Sequence, residues 1–323
     1  MAKKALITGI TGQDGSYMAE LLLDKGYEVF GMVRRSSTDT MERIRDFKDK
    51  LTIVDGDLAD QTSLNAVIKQ VEPDEVYHLA AMSFVPLSWT EPIFTSDITG
   101  IGTTRVLDAI RFFGKKTTKM FHPTSSEIFG LAHESPQNEK TMLRPRNPYG
   151  IAKTYAYLTA INYREYYKMF VCNAISYNHE SPKRGLEFVS RKITDGVAKI
   201  KAGLTNHITL GSLDAQRDWG FAGDFVEAYH AMMQQETADD YVIATGELHT
   251  VQEMVEVAFG AAGIKDWKKH IKTDPRFIRP PDARPLVGDI TKVKARLKWK
   301  PKTSFKELIT AMVEADLKRY GVR

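Results

Sequence analysis

Along the first half of the chain, short apolar runs alternate with stretches whose apolar residues return every few positions. The run KALIT (Lys4–Thr8) ends at a glycine-rich turn. Met18, Leu21 and Leu22 then mark one helical face up to a Lys25–Gly26 stop. EVFGMV (Glu28–Val33) and Leu51–Val54 carry the same strand signal, and helical spacing follows the latter from Thr62 to Val71. Glu75–Leu79 predicts a fourth strand, Thr103–Phe113 a helix, and Lys119–His122 a fifth strand leading into Pro123. A long helix over Tyr149–Tyr167 and a sixth strand over Phe170–Ser176 complete the series. Strands alternating with helices of about 10–15 residues predict βαβ units in a parallel sheet, here an α/β, Rossmann-like doubly wound domain.

The pattern changes after Tyr177. Residues 178–186 (NHESPKRGL) are polar and turn-rich, and residues 275–285 hold four prolines and three arginines. Residues 1–177 are therefore expected to form the dinucleotide-binding domain. Residues 178–218 and 247–323 are expected to form a smaller C-terminal substrate-binding lobe. The stretch 219–246 is expected to return to the sheet, because Asp240–Thr245 (DYVIAT) reads as a buried strand. There is no internal repeat and no low-complexity tract.

Composition narrows the class. With 42% apolar and 27% charged residues, the 323-residue chain has the make-up of an ordinary globular protein. Its apolar runs fall far short of the ~20 residues that span a bilayer, so no membrane partner is expected. The N-terminus enters a strand directly, without the apolar core and cleavage site of a signal peptide, which points to the cytoplasm. The single cysteine, Cys172, lies in an apolar run and allows no internal disulfide, which fits a reducing compartment. The net charge of +4 is spread along the chain. That suits a site for small anions better than a nucleic-acid footprint.

The candidate chemistry begins at Gly9-Ile10-Thr11-Gly12-Gln13-Asp14-Gly15. Glycines here permit a tight turn and let a pyrophosphate approach the backbone at a helix N-terminus. An ordinary βα turn would also use glycine; the strand before and the helix after point to a dinucleotide. Where an acidic residue would grip the ribose of NAD, the chain has Arg34-Arg35-Ser36-Ser37, which suits the 2′-phosphate of NADP. Asp57 and Leu58, after the third strand, are placed to meet the adenine edge. Leu79, Ala80 and Ala81, after the fourth, are placed to admit the cofactor ribose or simply to pack.

The central motif is Tyr149-Gly-Ile-Ala-Lys153. Residues four apart share one helical face, and an ammonium beside a phenol is expected to lower the phenol's pKa and make it a base. A surface pair would show the same spacing. Just upstream, Pro123-Thr124-Ser125-Ser126-Glu127 lies where the fifth strand ends at the crevice. A hydroxyl there can bond a reacting oxygen. Glu127 is the informative residue, because a simple alcohol dehydrogenase has no use for it. A dehydratase does: it must move a carbon-bound proton and protonate a leaving hydroxyl. A helix cap or an arginine partner is the bland alternative for Glu127. In the second lobe, Asn178, Lys192, Arg217 and Arg279 are candidates for a nucleotide diphosphate, or merely solvated loop residues.

These residues carry a resemblance. The chain resembles the extended short-chain dehydrogenases/reductases, and among them the GDP-mannose 4,6-dehydratase family, nearly end to end. The matching stretches are ALITGITGQDGSY (5–17), VRRSS (33–37), PYGIAK (148–153), NHESPKRG (178–185), RDWGFAGDFVEA (217–228), DYVIATGE (240–247) and LKWKPKTSF (297–305). The resemblance implies that Gly9, Gly12, Gly15, Arg35, Ser36 and Asp57 hold NADP. Gln13, Asp14, Arg34, Leu58, Leu79, Ala80, Ala81, His179 and Arg184 would lie near it. It implies catalysis by Ser125, Tyr149 and Lys153 with Glu127 as acid and base, Thr124 being the fallback hydroxyl. Asn178, Lys192, Arg217 and Arg279 become expected contacts of a GDP-sugar substrate, with Ser83, Val189 and Asp282 beside them. It implies a homodimer or homotetramer whose RRSS loop reaches a neighbour's cofactor.

The chain departs from the family pattern at three places. Ser125 stands where the family usually has Thr. Met82 stands in AAMS where it has Gln. Asp282-Ala283-Arg284 follow Arg279-Pro-Pro where it has a longer acid. The expected reaction is conversion of GDP-mannose to GDP-4-keto-6-deoxymannose by internal hydride transfer and loss of water. The alternatives are another GDP-sugar such as a GDP-heptose, a nucleotide-sugar 4-reductase or epimerase, and a non-catalytic NADP-binding regulator.

Overall fold

The structure is a computed structural model that describes residues 2–38, 40–275 and 284–322. Its first half alternates β1 (Lys4–Thr8), α1 (Gln13–Asp24), β2 (Glu28–Val33), β3 (Thr52–Asp55), α2 (Gln61–Val71) and β4 (Glu75–His78). Two short helices, α3 (Val85–Thr90) and α4 (Pro92–Thr95), precede α5 (Gly102–Phe113), β5 (Lys119–Ser125), α6 (Pro148–Tyr166) and β6 (Phe170–Ser176). The strands pair in parallel, beginning with Lys4 opposite Glu28 and Ala5 opposite Glu75. Apolar side chains on both sides of the strands are covered by helices. α1 and α8 (Ala222–Met233) contribute Met18, Leu22, Phe225 and Tyr229 on one face. α2 and α5 contribute Leu64, Val67, Val106 and Ile110 on the other. Burial on both faces is why the strands read as continuous apolar runs rather than alternating ones.

After β6 come β7 (Asn178–Glu180), α7 (Val189–Lys201), β8 (Ile208–Leu210), β9 (Gln216–Arg217), β10 (Trp219–Phe221), α8 and β11 (Asp240–Ile243). β11 pairs in parallel with β6, so the buried run at residues 240–245 does join the sheet, ending at Ile243. The strand order is β11-β6-β5-β4-β1-β2-β3. The chain winds outward from β1 through β2 and β3, then returns to the other side of β1 at β4. Ligands of such sheets bind where the winding reverses, at the C-terminal strand ends. Here that crevice opens after Thr8 and His78, which lie side by side.

A separate apolar cluster forms among the later helices. α7, α9 (Val251–Ala261) and α11 (Phe305–Arg319) bury Ile193, Val197, Met254, Phe259, Ile309 and Met312 together. The pairs β12 (His249–Thr250) with β9 and β13 (Ile271–Thr273) with β8 edge it, and α10 (Thr291–Leu297) packs near β11.

Two departures from the sequence reading have physical causes. The fifth strand runs through Pro123 to Ser125, because pairing with β4 ends at Phe121 and leaves no ladder on that side for the proline to interrupt. The helix ahead of β5 starts earlier than its apolar spacing indicates. It is entered through a wider π-helical turn over Ser96–Ile101, where Gly100 lies against the Tyr155 ring. Among the described residues no helix is long and apolar enough to cross a membrane.

Candidate active site

The glycine-rich turn is built as a cradle. Gly9 has φ +71°, and a Cβ there would lie 2.7 Å from the Ala80 nitrogen. A Cβ on Gly15 would lie 2.2 Å from the Gly9 carbonyl oxygen. Any side chain at either position would push the turn off β4 or off α1. Gly12 precedes α1 without a side-chain cap, so the first N–H groups of that helix face the crevice with no oxygen of their own. Ala80 N–H donates to Thr8 Oγ1 at 3.1 Å, fixing the far wall of the turn. A dinucleotide fits this arrangement: small residues where backbone must be close, and open amides where a pyrophosphate would lie.

The rim is different. Arg34, Arg35 and Ser36 follow β2 and are all exposed. Asp57 is half-buried, its carboxylate accepting from Ala59 N–H, and Leu58 is buried beside it. Leu79, Ala80 and Ala81 line the crevice floor half-buried, while Ser83 is exposed. Met82 packs into the apolar core, with its N–H donating to Thr99 Oγ1 at 3.1 Å.

Tyr149 and Lys153 occupy one buried face of α6, as the spacing requires. Their protonation differs from the sequence expectation. Burial pushes the Tyr149 phenol up to about 12, and the Glu127 charge adds to this. A hydrogen bond from Ser125 and the Arg184 charge oppose it. Lys153 does not reverse this: its Nζ lies over the Tyr149 ring, 6.0 Å from the centroid, and donates to the Pro123 carbonyl at 2.6 Å. Burial lowers Lys153 itself to about 8, with Asp14 partly offsetting it. Desolvation thus outweighs the neighbour effect that the Tyr–Lys spacing suggested.

Of the two candidate hydroxyls on β5, Ser125 meets Tyr149, whereas Thr124 turns into the sheet toward His122 Nδ1 at 3.3 Å. Ser125 Oγ also accepts from the Glu127 N–H at 3.3 Å. The Glu127 carboxylate is held by Asn147, whose Nδ2 donates to Oε2 at 2.7 Å. The same Asn147 caps α6 by accepting from Gly150 N–H at 2.8 Å. One side chain therefore orients the carboxylate and starts the helix that carries Tyr149. The sequence reading missed Asn147; the Asn-Pro start of a helix was the available signal.

His179 and Arg184 come to the same crevice. His179 Nε2 pairs with Asp14 Oδ2 at 2.8 Å, and its Nδ1 bonds the Tyr177 carbonyl at 2.7 Å. Burial opposes both charges, yet each partner overcomes it for the other: His179 is raised and Asp14 lowered. Arg43, also missed, donates to the carbonyls of Thr11 at 3.2 Å and Lys183 at 2.7 Å, tying the glycine turn to the loop after β7.

The remaining described candidates lie on β7, β9 and α7. β7 pairs with β10, so Asn178 lies opposite Trp219, two residues on from Arg217. Arg217 is half-buried on β9. Val189 opens α7 at 38% exposure and Lys192 sits in its first turn, lowered by burial. Arg279 and Asp282 lie outside the described residues. Among the described residues no cluster of His, Cys, Asp and Glu could hold a metal ion.

Residues 6–312 match the family model described as GDP-mannose 4,6 dehydratase. The chain is 46% identical to GDP-mannose 4,6 dehydratase 1 of Arabidopsis thaliana, over 98% of this chain and 90% of that one. It is 45% identical to a GDP-mannose 4,6 dehydratase of Homo sapiens, over 97% and 91%. Among solved structures it is similar to DesIV, a dTDP-glucose 4,6-dehydratase from Streptomyces venezuelae with NAD and TYD bound. The TM-score is 0.87 at 22% identity, covering 98% of each chain.

Proposed function

The chain belongs to the GDP-mannose 4,6 dehydratase family and acts as a hydro-lyase on GDP-mannose, and from that premise we propose that Tyr149, Ser125 and Glu127 divide its proton transfers among them. Tyr149 Oη would take the proton of the sugar 4-hydroxyl once the positive charge of a bound nicotinamide offsets the burial that raises the phenol, with Ser125 Oγ bonding the same oxygen. Lys153 holds the cofactor ribose and steadies the site's charge. Glu127 takes the proton from C5 and delivers it to the leaving hydroxyl at C6, so that water departs; C5 then regains a proton as C6 receives hydride, which balances the one Tyr149 removed from the 4-hydroxyl. The observation that carries this division is the Asn147 link: it fixes the Glu127 carboxylate at the mouth of the helix bearing Tyr149, two residues from Ser125. A reductase or epimerase would have no use for that carboxylate.

The cofactor we propose is NADP. Gly9, Gly12, Gln13, Asp14 and Gly15 would hold its pyrophosphate, and Arg34, Arg35 and Ser36 its 2′-phosphate. Asp57 and Leu58 would meet the adenine. Leu79, Ala80, Ala81, His179 and Arg184 would flank the ribose and nicotinamide. When bound, NADP supplies a hydride acceptor for C4 and a hydride donor for C6, so the reaction has no net redox change. Ser83, Asn178, Val189, Lys192 and Arg217, with Arg279 and Asp282, are proposed to hold the GDP-sugar.

The protein is also proposed to work as a homodimer or homotetramer in the cytoplasm. Ile151, Tyr155 and Leu158 form an exposed apolar stripe on the outer side of α6, continued by Ile101, and a second copy would cover it. The test is mass spectrometry of purified protein incubated with GDP-mannose without added NADPH, beside Glu127→Gln. Loss of one water by wild type and not by the variant is expected. An unchanged GDP-mannose peak from wild type with NADP bound would overturn GDP-mannose as the substrate.

A further inference from the structure

We propose that Arg191 and Asp316 are positioning residues for the dinucleotide cradle, through which the C-terminal helix holds the outer wall of the cofactor site. This rests on the reading of the glycine turn as an NADP site. Arg191 lies on α7 and Asp316 on α11, and both side chains are almost inaccessible, at 5% and 2%. Arg191 Nη2 donates to Asp316 Oδ1 at 2.5 Å, and Thr194 Oγ1 donates to the other carboxylate oxygen at 2.8 Å. The second arm of the guanidinium turns the other way. Its Nη1 donates to the carbonyl of Pro182 and, at 3.4 Å, to that of Arg184.

The loop gripped in this way is also bonded to the cradle. Ser181 Oγ donates to Gln13 Oε1 at 2.7 Å, and Gln13 Nε2 returns a bond to the His179 carbonyl at 3.0 Å. The Lys183 carbonyl accepts from Arg43, which also holds Thr11 of the glycine turn. A continuous path thus runs from α11 through Asp316, Arg191 and the 181–184 loop to Gln13 and Thr11. A buried ion pair is an expensive way to dock two helices, since apolar side chains of the same size serve as well. What an apolar pair lacks is a rigid fork that grips a carboxylate with one arm and backbone carbonyls with the other. That geometry is the reason to assign the pair a role beyond helix packing.

The experiment compares wild type, Asp316→Asn, Arg191→Lys and the milder Thr194→Val. Three quantities are measured: the Kd for NADPH from nucleotide fluorescence, the Tm of the nucleotide-free protein, and kcat at saturating cofactor. The expected result is a Kd raised about tenfold in the first two variants and about threefold in Thr194→Val, with kcat at saturation within about twofold of wild type. Unchanged Kd values in folded Asp316→Asn and Thr194→Val, with only Tm lowered, would overturn the proposal and leave the pair as helix packing. A wild-type protein that binds no NADPH would overturn the cofactor reading, and this proposal with it.

Discussion

The floor and the rim of the crevice are built on opposite terms. On the floor, Tyr149 and Lys153 are enclosed and the glycine turn is held half-buried against Ala80, with only the first amides of α1 left open. On the rim, Arg34, Arg35, Ser36 and Ser83 stand in solvent. A floor of this kind is shaped before any ligand arrives, so its geometry is part of the folding energy. A rim of this kind gains its order from the ligand and adds affinity without adding stability. Substitutions in the floor should therefore disturb fold or chemistry, and those in the rim should disturb binding alone.

The largest effect should come from Tyr149→Phe and Glu127→Gln. Turnover of GDP-mannose should fall by about 10²–10⁴-fold while cofactor binding persists, measured by steady-state assay beside NADPH fluorescence. A loss of binding equal to the loss of turnover would erase the distinction between chemistry and cradle. Next is Gly15→Ala, whose methyl would collide with the Gly9 carbonyl and the Ile10 backbone. It should cost about 1–3 kcal/mol in urea denaturation and abolish tight cofactor binding. A variant of wild-type stability would show that the turn is not preformed.

Arg35→Ala tests the rim. NADP affinity should drop about ten- to thirtyfold, NAD affinity should barely change, and the denaturation midpoint should hold. An equal loss for both nucleotides would remove Arg35 from 2′-phosphate recognition. The smallest effect concerns pH. Burial holds Lys153 near 8, below its ordinary 10.5, so between these values the unfolded chain binds the extra proton and stability rises with pH. Lys153→Met should be more stable than wild type at neutral pH, and the gap should close as pH rises through that window. A gap independent of pH would mean that the lysine is not desolvated. Above pH 10 Tyr149 acts in the opposite sense, because its raised phenol keeps a proton that the unfolded chain releases.

Much of the floor was legible in the amino-acid order because it depends on local rules. Strand runs, the glycine spacing, and the shared helical face of Tyr149 and Lys153 all arise from residues close in sequence. The parts that were not legible join distant segments. Asn147 reaches back 20 residues to Glu127, and Arg43 crosses 140 to Lys183. Arg191 meets Asp316 across 125 residues. No periodicity announces such contacts. The π-helical turn before α5 was equally hidden, since it depends on Gly100 fitting against Tyr155 of another helix.

The protonation of the pair separates the two levels most clearly. Sequence alone determined that Tyr149 and Lys153 share a face, because helical geometry puts i and i+4 together. It also determined the tight turn after β1, because only glycine tolerates that backbone approach. Only the tertiary structure decided that the phenol is raised rather than lowered, that Ser125 rather than Thr124 meets it, and that Arg191 bonds both the C-terminal helix and the 181–184 loop. Each of these depends on how much water the packed chain excludes and which distant carbonyls it brings near. Desolvation and long-range pairing are properties of the folded whole, and no local pattern contains them.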